Sequence, residues 1–330
     1  MNYYFKYVVP ERLIYDQINR NQYKDIIFYI DLQSIARGLF NKNVVLMEIS
    51  NYIETRNPPI TFINELKAFL SNLHHKFNRL NPKFIVFYDR GFENQNTNYD
   101  NSYKSEGRAQ LSSILEDDDL QLFRQIKHYY FETIAQKFII PNTCYTVYLQ
   151  NIETDYIPYF IMSENILDAQ NSSTLNIILS TDKDLLQTCE YNNVFQAISV
   201  YLKSESKIDS HLFDKYNAIS YIYKNFKPGI LTAKYIPLLL SLAGDKADHI
   251  PNLFKGLGFA KAIEMIYNYS LPEIFNDTYK LPEILVPHKS QLIKNLNLTS
   301  FELQMKRVDQ SIHKDLKNNL VNNFGFKNNI

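Results

Sequence analysis

The stretch Leu179 to Gln187, LSTDKDLLQ, places Asp182 and Asp184 two residues apart in a turn that follows the apolar run Leu175 to Leu179. Carboxylates beyond the carboxyl end of a buried strand suit one chemistry above others. They hold hard divalent cations such as Mg²⁺, which take oxygen ligands, in the crevice where open α/β sheets place their reactive groups. A plainer account makes Thr181 an N-cap and Asp184 its capping-box partner. The same arrangement recurs, however. Asp25 to Asp31, DIIFYID, and Lys83 to Asp89, KFIVFYD, are continuous apolar runs that each end in an aspartate, Asp31 and Asp89. Thr143 to Leu149 is followed by Glu153 and Asp155. Acids after four strands converge on one edge of a sheet, which makes a shared site the better account.

Those strands must be held by something, and the segments between them read as helices: Leu32 to Phe40, an amphipathic Phe62 to Leu80, and a stretch from Asp155 to Ile166 with Pro158 in its first turn. A fifth strand is expected over Val194 to Val200, and Pro10 is placed at a helix start. Alternating strands and helices predict a mainly parallel α/β sheet with right-handed crossovers. From about Ala218 the chain is helix-rich. There Asp245 and Asp248, in GDKADHIP, are three apart and so share one face of a helical turn. Beyond them KGLGFAK opens a helix with a glycine-containing turn whose free N–H groups suit a phosphate. The remainder, Leu281 to Ile330, reads as two further helices.

Residues 90–107 are polar and Asn-rich, as an exposed loop would be, and Tyr99, Tyr103, Lys104 and Arg108 interleave rings with cations there. Single-stranded nucleic acid uses that combination, although a plain solvated loop has it too. Leu111 to Ile140 is expected to be largely helical, with Glu116 to Asp119 at a helix start.

Composition sets outer bounds. The 330 residues are enough for a substantial core; 45% are hydrophobic, with 25 Tyr, 22 Phe and no Trp, so disorder is excluded as a general description. Lys+Arg and Asp+Glu are both 35, so a nucleic-acid surface must come from local placement of cations. Cys144 and Cys189 read as free thiols of a reducing compartment. The N-terminus, MNYYFKYVVPER, lacks a secretory pattern and no apolar run reaches a bilayer-spanning length, so a soluble cytoplasmic protein is expected.

Two stretches carry a resemblance. ILSTDKDLLQ and LAGDKADHIPNLFKGLGFAKA are similar to the strand-DKDLLQ and GDxxDNIPGVxGIGxKTA elements of the 5′ nuclease superfamily, the flap endonucleases and 5′-3′ exonucleases, and resemble the bacteriophage RNase H and exonuclease branch most. The resemblance runs from about Asp25 to Ile266. It implies a PIN-like mainly parallel sheet flanked by helices over residues 1–215, with a helical arch at about 90–135. Residues 216–330 would then form a helical DNA-binding region with a helix-three-turn-helix at about 236–268. It implies metal ligands at Asp31, Asp89, Glu153, Asp155, Asp182, Asp184, Asp245 and Asp248, holding two Mg²⁺ ions for which Mn²⁺ can substitute. Lys104 and Arg108 resemble the basic pair that steers the scissile phosphate. Gly256, Gly258 and Lys261 resemble the duplex-binding element, which often carries K⁺.

The implied function is a monomeric nuclease of replication or repair acting on a DNA 5′ flap, a 5′ end or an RNA-DNA hybrid, in host cytoplasm if the source is viral. A single-strand-binding protein or sliding clamp could dock on Leu320, Phe324 and Phe326, although packing of a last helix is the simpler role for them. Departures from the pattern are Tyr156 where a second aspartate is usual, His249 in place of Asn, one extra residue before Gly256, and one extra residue between Lys104 and Arg108. Two alternatives stand beside this reading: a non-catalytic DNA-junction binder of the same fold, and a PIN-type endoribonuclease.

Overall fold

A computed structural model describes residues 8–39, 51, 54–55, 60–88, 140–149, 152–202, 207–269, 271 and 281–325. Asp89, Tyr99, Tyr103, Lys104 and Arg108, the proposed arch, the acidic run Glu116 to Asp119 and Phe326 lie outside them.

The strands are β1 (Asp25–Asp31), β2 (Lys83–Phe87), β3 (Cys144–Val147), β4 (Thr174–Leu179), β5 (Val194–Leu202) and β6 (Lys207–Phe213). They form one sheet in the order β3-β2-β1-β4-β5-β6. All pairings are parallel except β5 with β6. The helices are α1 (Glu11–Asn21), α2 (Leu32–Leu39), α3 (Ile60–Lys76), α4 (Ile157–Ser163), α5 (Ala218–Ile222), α6 (Ile236–Ala243), α7 (Phe259–Asn268), α8 (Lys289–Thr299), α9 (Phe301–Arg307) and α10 (Gln310–Asn323).

The central strands are buried on both faces, which is why their sequences are continuously apolar. Successive side chains feed two separate cores, as the two-residue period requires. Ile27, Tyr29, Ile85, Phe87 and Ile178 join a large cluster with α4, α6, α8, α9 and α10. Ile26, Phe28, Ile30, Phe84, Val86 and Ile177 join the other, under α1 and α3. Leu320 (0% exposed) and Phe324 (5%) belong to the first cluster, so both dock α10 on the core.

The chain moves outward from β1 through β2 to β3, then returns to lay β4 against the other side of β1. That reversal opens a crevice at the carboxyl ends of β1 and β4, the switch point where such sheets bind ligands.

Two expectations are corrected, and one strand was not expected. The DKD turn leads into a 3-10 segment, Asp184–Glu190, rather than an α-helix, and Thr181 does not cap it. Asp182 instead accepts the Asp184 N–H at 3.0 Å, while the Thr181 and Ser34 hydroxyls pair at 2.8 Å. The described residues of the C-terminal part hold three α-helices, because Ser300 adopts an extended backbone and its hydroxyl accepts the Leu303 N–H, starting α9 afresh. Strand β6, on which the sequence reading was silent, pairs antiparallel with β5 and forms one edge of the described sheet.

Candidate metal centre

Asp31 ends β1 beside Ser180, which follows β4. The Ser180 hydroxyl donates to Asp31 Oδ2 at 2.6 Å, and the Ser34 N–H donates to Asp31 Oδ1 at 3.0 Å. Ser180 in turn accepts the Asp182 N–H at 3.0 Å. One hydroxyl thus ties the end of the first strand to the DKD turn.

Two glutamine amides pin the turn from below. Gln196, buried on β5, donates to the carbonyls of Ser180 and Asp182 at 3.1 and 2.6 Å. Gln187 donates to the carbonyls of Asp184 and Thr299 and accepts the Phe301 N–H at 2.9 Å, which joins the turn to the α8–α9 junction. The Gln187 amide is bonded through both its nitrogen and its oxygen, whereas Gln196 uses its nitrogen and leaves Oε1 buried without a partner; both fix backbone that carries charged side chains.

The second half of the site comes from the loop after α6. Gly244 ends that helix at φ +78, and an added Cβ would lie 2.6 to 2.9 Å from backbone atoms of Asn252, Ile250 and Pro251. Only glycine lets the chain fold back this closely. The return is sealed by a two-way pairing of Asp245 with Ile250, both hydrogen bonds at 2.8 Å, and His249 takes the left-handed conformation at φ +59. Asn295 of α8 donates to the Ser241 and Pro251 carbonyls and holds the loop from outside. Asp245 and Asp248 therefore share a face on a closed turn rather than on the expected helix.

Asp184, Asp245 and Asp248 converge, each offering one oxygen within 4.8 Å of the others. Asp184 Oδ1 is buried with no hydrogen-bond partner. Burial raises the Asp184 carboxyl well above the usual carboxylate range, and the neighbouring charges of Asp182, Asp248 and Asp245 add to this. Lys183 Nζ pairs with Asp245 Oδ2 at 2.6 Å. Burial opposes the Lys183 charge, but Asp184, Asp245 and Asp248 outweigh it and hold the ammonium above its ordinary pKa. An orphaned buried oxygen among three hard ligands fits a divalent cation, which would satisfy all three at once.

The remaining acids are placed as follows. Asp182 adjoins the triad across the turn. Asp31 is buried and engaged by Ser34 and Ser180. Glu153 is buried and Asp155 half-buried, in the segment between β3 and α4, and neither joins the triad within 4.8 Å. Tyr156 is 1% exposed with its hydroxyl 3.3 Å from His313 Nε2 on α10. It is a core residue with its hydroxyl committed to α10, and burial raises its pKa far above the phenol range. In the downstream element Lys255, Gly256, Gly258 and Lys261 are exposed around the start of α7.

Sequence reasoning missed Ser34, Ser180, Lys183, Gln187 and Gln196. The signal available was a lysine set between two carboxylates and an amide three residues after the second of them.

The fold is an α/β sheet of six mostly parallel described strands flanked by helices. It is shared with the D15 protein of bacteriophage T5, in its crystal structure with metal ions, at a TM-score of 0.57 and 12% identity over 90% of this chain and 98% of that one. The bacteriophage T5 D15 flap endonuclease in a pseudo-enzyme-product complex with DNA and metal ions gives a TM-score of 0.58 at 14% identity, covering 91% and 99%. The T5 5′-exonuclease with bound zinc gives 0.57 at 13% identity, covering 91% and 99%. No protein-family model and no curated protein matches the sequence. Among the described residues no helix is long and apolar enough to cross a membrane.

Proposed function

We propose that this chain is a Mg²⁺-dependent, structure-specific 5′ nuclease that hydrolyses phosphodiesters at DNA 5′ flaps or 5′ ends, with removal of RNA primers as a variant of the same activity. The observation that carries the reading is the convergence of Asp184, Asp245 and Asp248 around a buried, unpartnered oxygen in the crevice at the sheet's switch point. Asp184, Asp245 and Asp248, with Asp182 beside them, would hold one ion. Asp31, Glu153, Asp155 and Asp89 would complete a second site. Such ions supply an activated water and stabilise the leaving oxygen.

The chain's own residues do the rest. The Ser180 and Gln196 contacts hold the DKD turn so that its carboxylates meet the cation without rearrangement. Gly256, Gly258 and Lys261 present open backbone and a cation to duplex phosphates, with K⁺ a candidate there. Lys104 and Arg108 would steer the scissile phosphate, and Tyr99 and Tyr103 would stack unpaired bases. The division is then a nuclease core at 1–215 and a DNA-binding region at 216–330, working as a monomer in the cytoplasm. Leu320 and Phe324 serve the core, which leaves Phe326 as the candidate contact for a clamp or single-strand-binding protein.

The test is cleavage of a 5′-labelled flap duplex in Mg²⁺, in Mn²⁺ and in EDTA, with Asp184→Asn as control. Cutting near the junction that is lost with EDTA and with the variant supports the reading. Tight flap binding without cleavage in either metal would select the junction-binding alternative, which the burial of Tyr156 at a usual acid position favours.

A further inference from the structure

We propose that Lys183 is a displaceable internal counter-cation of the acidic triad, holding Asp245 until a divalent ion enters and evicts its ammonium. This rests on the metal reading above and adds to it a residue that governs loading. Asp245 Oδ1 accepts the Ala247 N–H at 3.0 Å, while Oδ2 is held only by charge: it forms an ion pair with Lys183 Nζ at 2.6 Å and accepts no well-aligned hydrogen bond. The Asp245 side chain is only 3% exposed, against 27% for Lys183.

An ion that binds Asp184, Asp245 and Asp248 must either share Oδ2 with the ammonium or settle within a few ångströms of it. A double and a single positive charge at that separation repel strongly in a partly buried site. The two occupancies therefore exclude one another.

The backbone on either side of Lys183 is fixed by Gln196 at the Asp182 carbonyl and Gln187 at the Asp184 carbonyl, so the side chain is what yields. It has a route, being 27% exposed where Asp245 is closed. Once outside, the flexible ammonium is free of the carboxylate and able to meet an anionic phosphate oxygen away from the ion. Lys183 is a positioning residue in this account, acting through Asp245.

The experiment is calorimetric titration of Ca²⁺, without nucleic acid, into the parent protein, Lys183→Met and Lys183→Arg. Removing the competitor in Lys183→Met should tighten Ca²⁺ binding by roughly fivefold or more, the low end of ordinary coupling between two ligands of one site. Lys183→Arg should weaken it, because a planar guanidinium grips a carboxylate with two parallel bonds. Lys183→Met leaves Asp245 unpaired and is to be checked for folding by circular dichroism. In the parent protein the Lys183 Nζ resonance supplies a readout that needs no variant, and it should shift on adding Ca²⁺. Equal or weaker Ca²⁺ affinity in folded Lys183→Met, or an unmoved Nζ resonance while Ca²⁺ binds, overturns the inference and leaves the metal reading standing. Absence of binding by Ca²⁺ and by Mn²⁺ in all three proteins overturns both.

Discussion

Replacing Gly244 with alanine tests how the second half of the site is built. The added Cβ would sit 2.6 Å from Asn252 N, 2.8 Å from the Ile250 carbonyl oxygen and 2.9 Å from the Pro251 carbonyl carbon. All three are backbone atoms. They cannot withdraw cheaply, since Asp245 and Ile250 pair in both directions and Leu253 N–H donates to the Leu242 carbonyl at 2.9 Å. Relieving such a clash costs about 1–3 kcal/mol, the usual range for overpacking. The backbone itself, at φ +78 and ψ 166, lies in a region reserved for glycine. Holding alanine there costs a further 1–3 kcal/mol or so. Together these predict a loss of roughly 2–6 kcal/mol. For a chain of 330 residues that corresponds to about 3–9 °C in melting temperature.

The assay is paired urea and thermal unfolding of three alanine variants. Gly256, at φ +84 in open space, should lose only about 1–2 kcal/mol. Gly258, with negative φ and open space, should stay within about 0.5 kcal/mol of the parent. A Gly244→Ala protein that melts with the parent, or no lower than Gly256→Ala, would refute the claim that close backbone approach at Gly244 shapes the Asp245 turn.

Mg²⁺ at a hundred times its dissociation constant should stabilise the parent by about 2.7 kcal/mol. Thermal melts of Asp184→Asn should show that shift abolished while the metal-free protein holds or gains stability, because a buried, repelled charge has been removed. Tyr156→Phe should lose about 0.5–1.5 kcal/mol in urea unfolding, the worth of the bond to His313. Tyr156→Asp should cost roughly 3–5 kcal/mol by burying an unpaired charge, and should add nothing to Ca²⁺ affinity measured by calorimetry. Burial lowers the His313 pKa, with a smaller opposing effect of Glu164. A base whose folded pKa lies below its unfolded value gives full stability above about pH 6.5 and loses it as pH falls toward the folded value. Urea midpoints between pH 7 and pH 5 should show that slope, and His313→Gln should flatten it.

The strands at the centre of the sheet were legible because β1, β2 and β4 are buried on both faces and read as unbroken apolar runs. Strand β6, KIDSHLF, was not: it mixes polar and apolar residues at an antiparallel edge and looks like loop. The DKD and GDKAD acids could be picked out by spacing, yet the geometry that joins them could not. Asp245 and Asp248 meet through a left-handed His249 and a glycine return, neither of which leaves a periodic trace. Gln187 reaches partners 112 and 114 residues away, and contacts of that range leave no mark in local sequence. Tyr156 looked like a lost ligand when judged by position alone. Its burial against His313 of α10 shows a side chain recruited to the core instead.

The far end of α10 also reaches the sheet. Asn142 N–H donates to the Asn323 carbonyl at 2.7 Å, and the Asn323 amide donates to the Cys144 carbonyl at 3.4 Å, at the start of β3. Strand β3 is the outermost described strand on that side. Cys144 and Asn323 are 179 residues apart in the chain. At translation speeds of about 5–20 residues per second, roughly 9–36 s separate the synthesis of this edge from that of its latch. During that interval the start of β3 is without these two bonds, and unpaired backbone at a sheet edge is a template for foreign strands. Production of the protein should therefore respond to the supply of chaperones, and a chain released short of Asn323 would lack both bonds permanently.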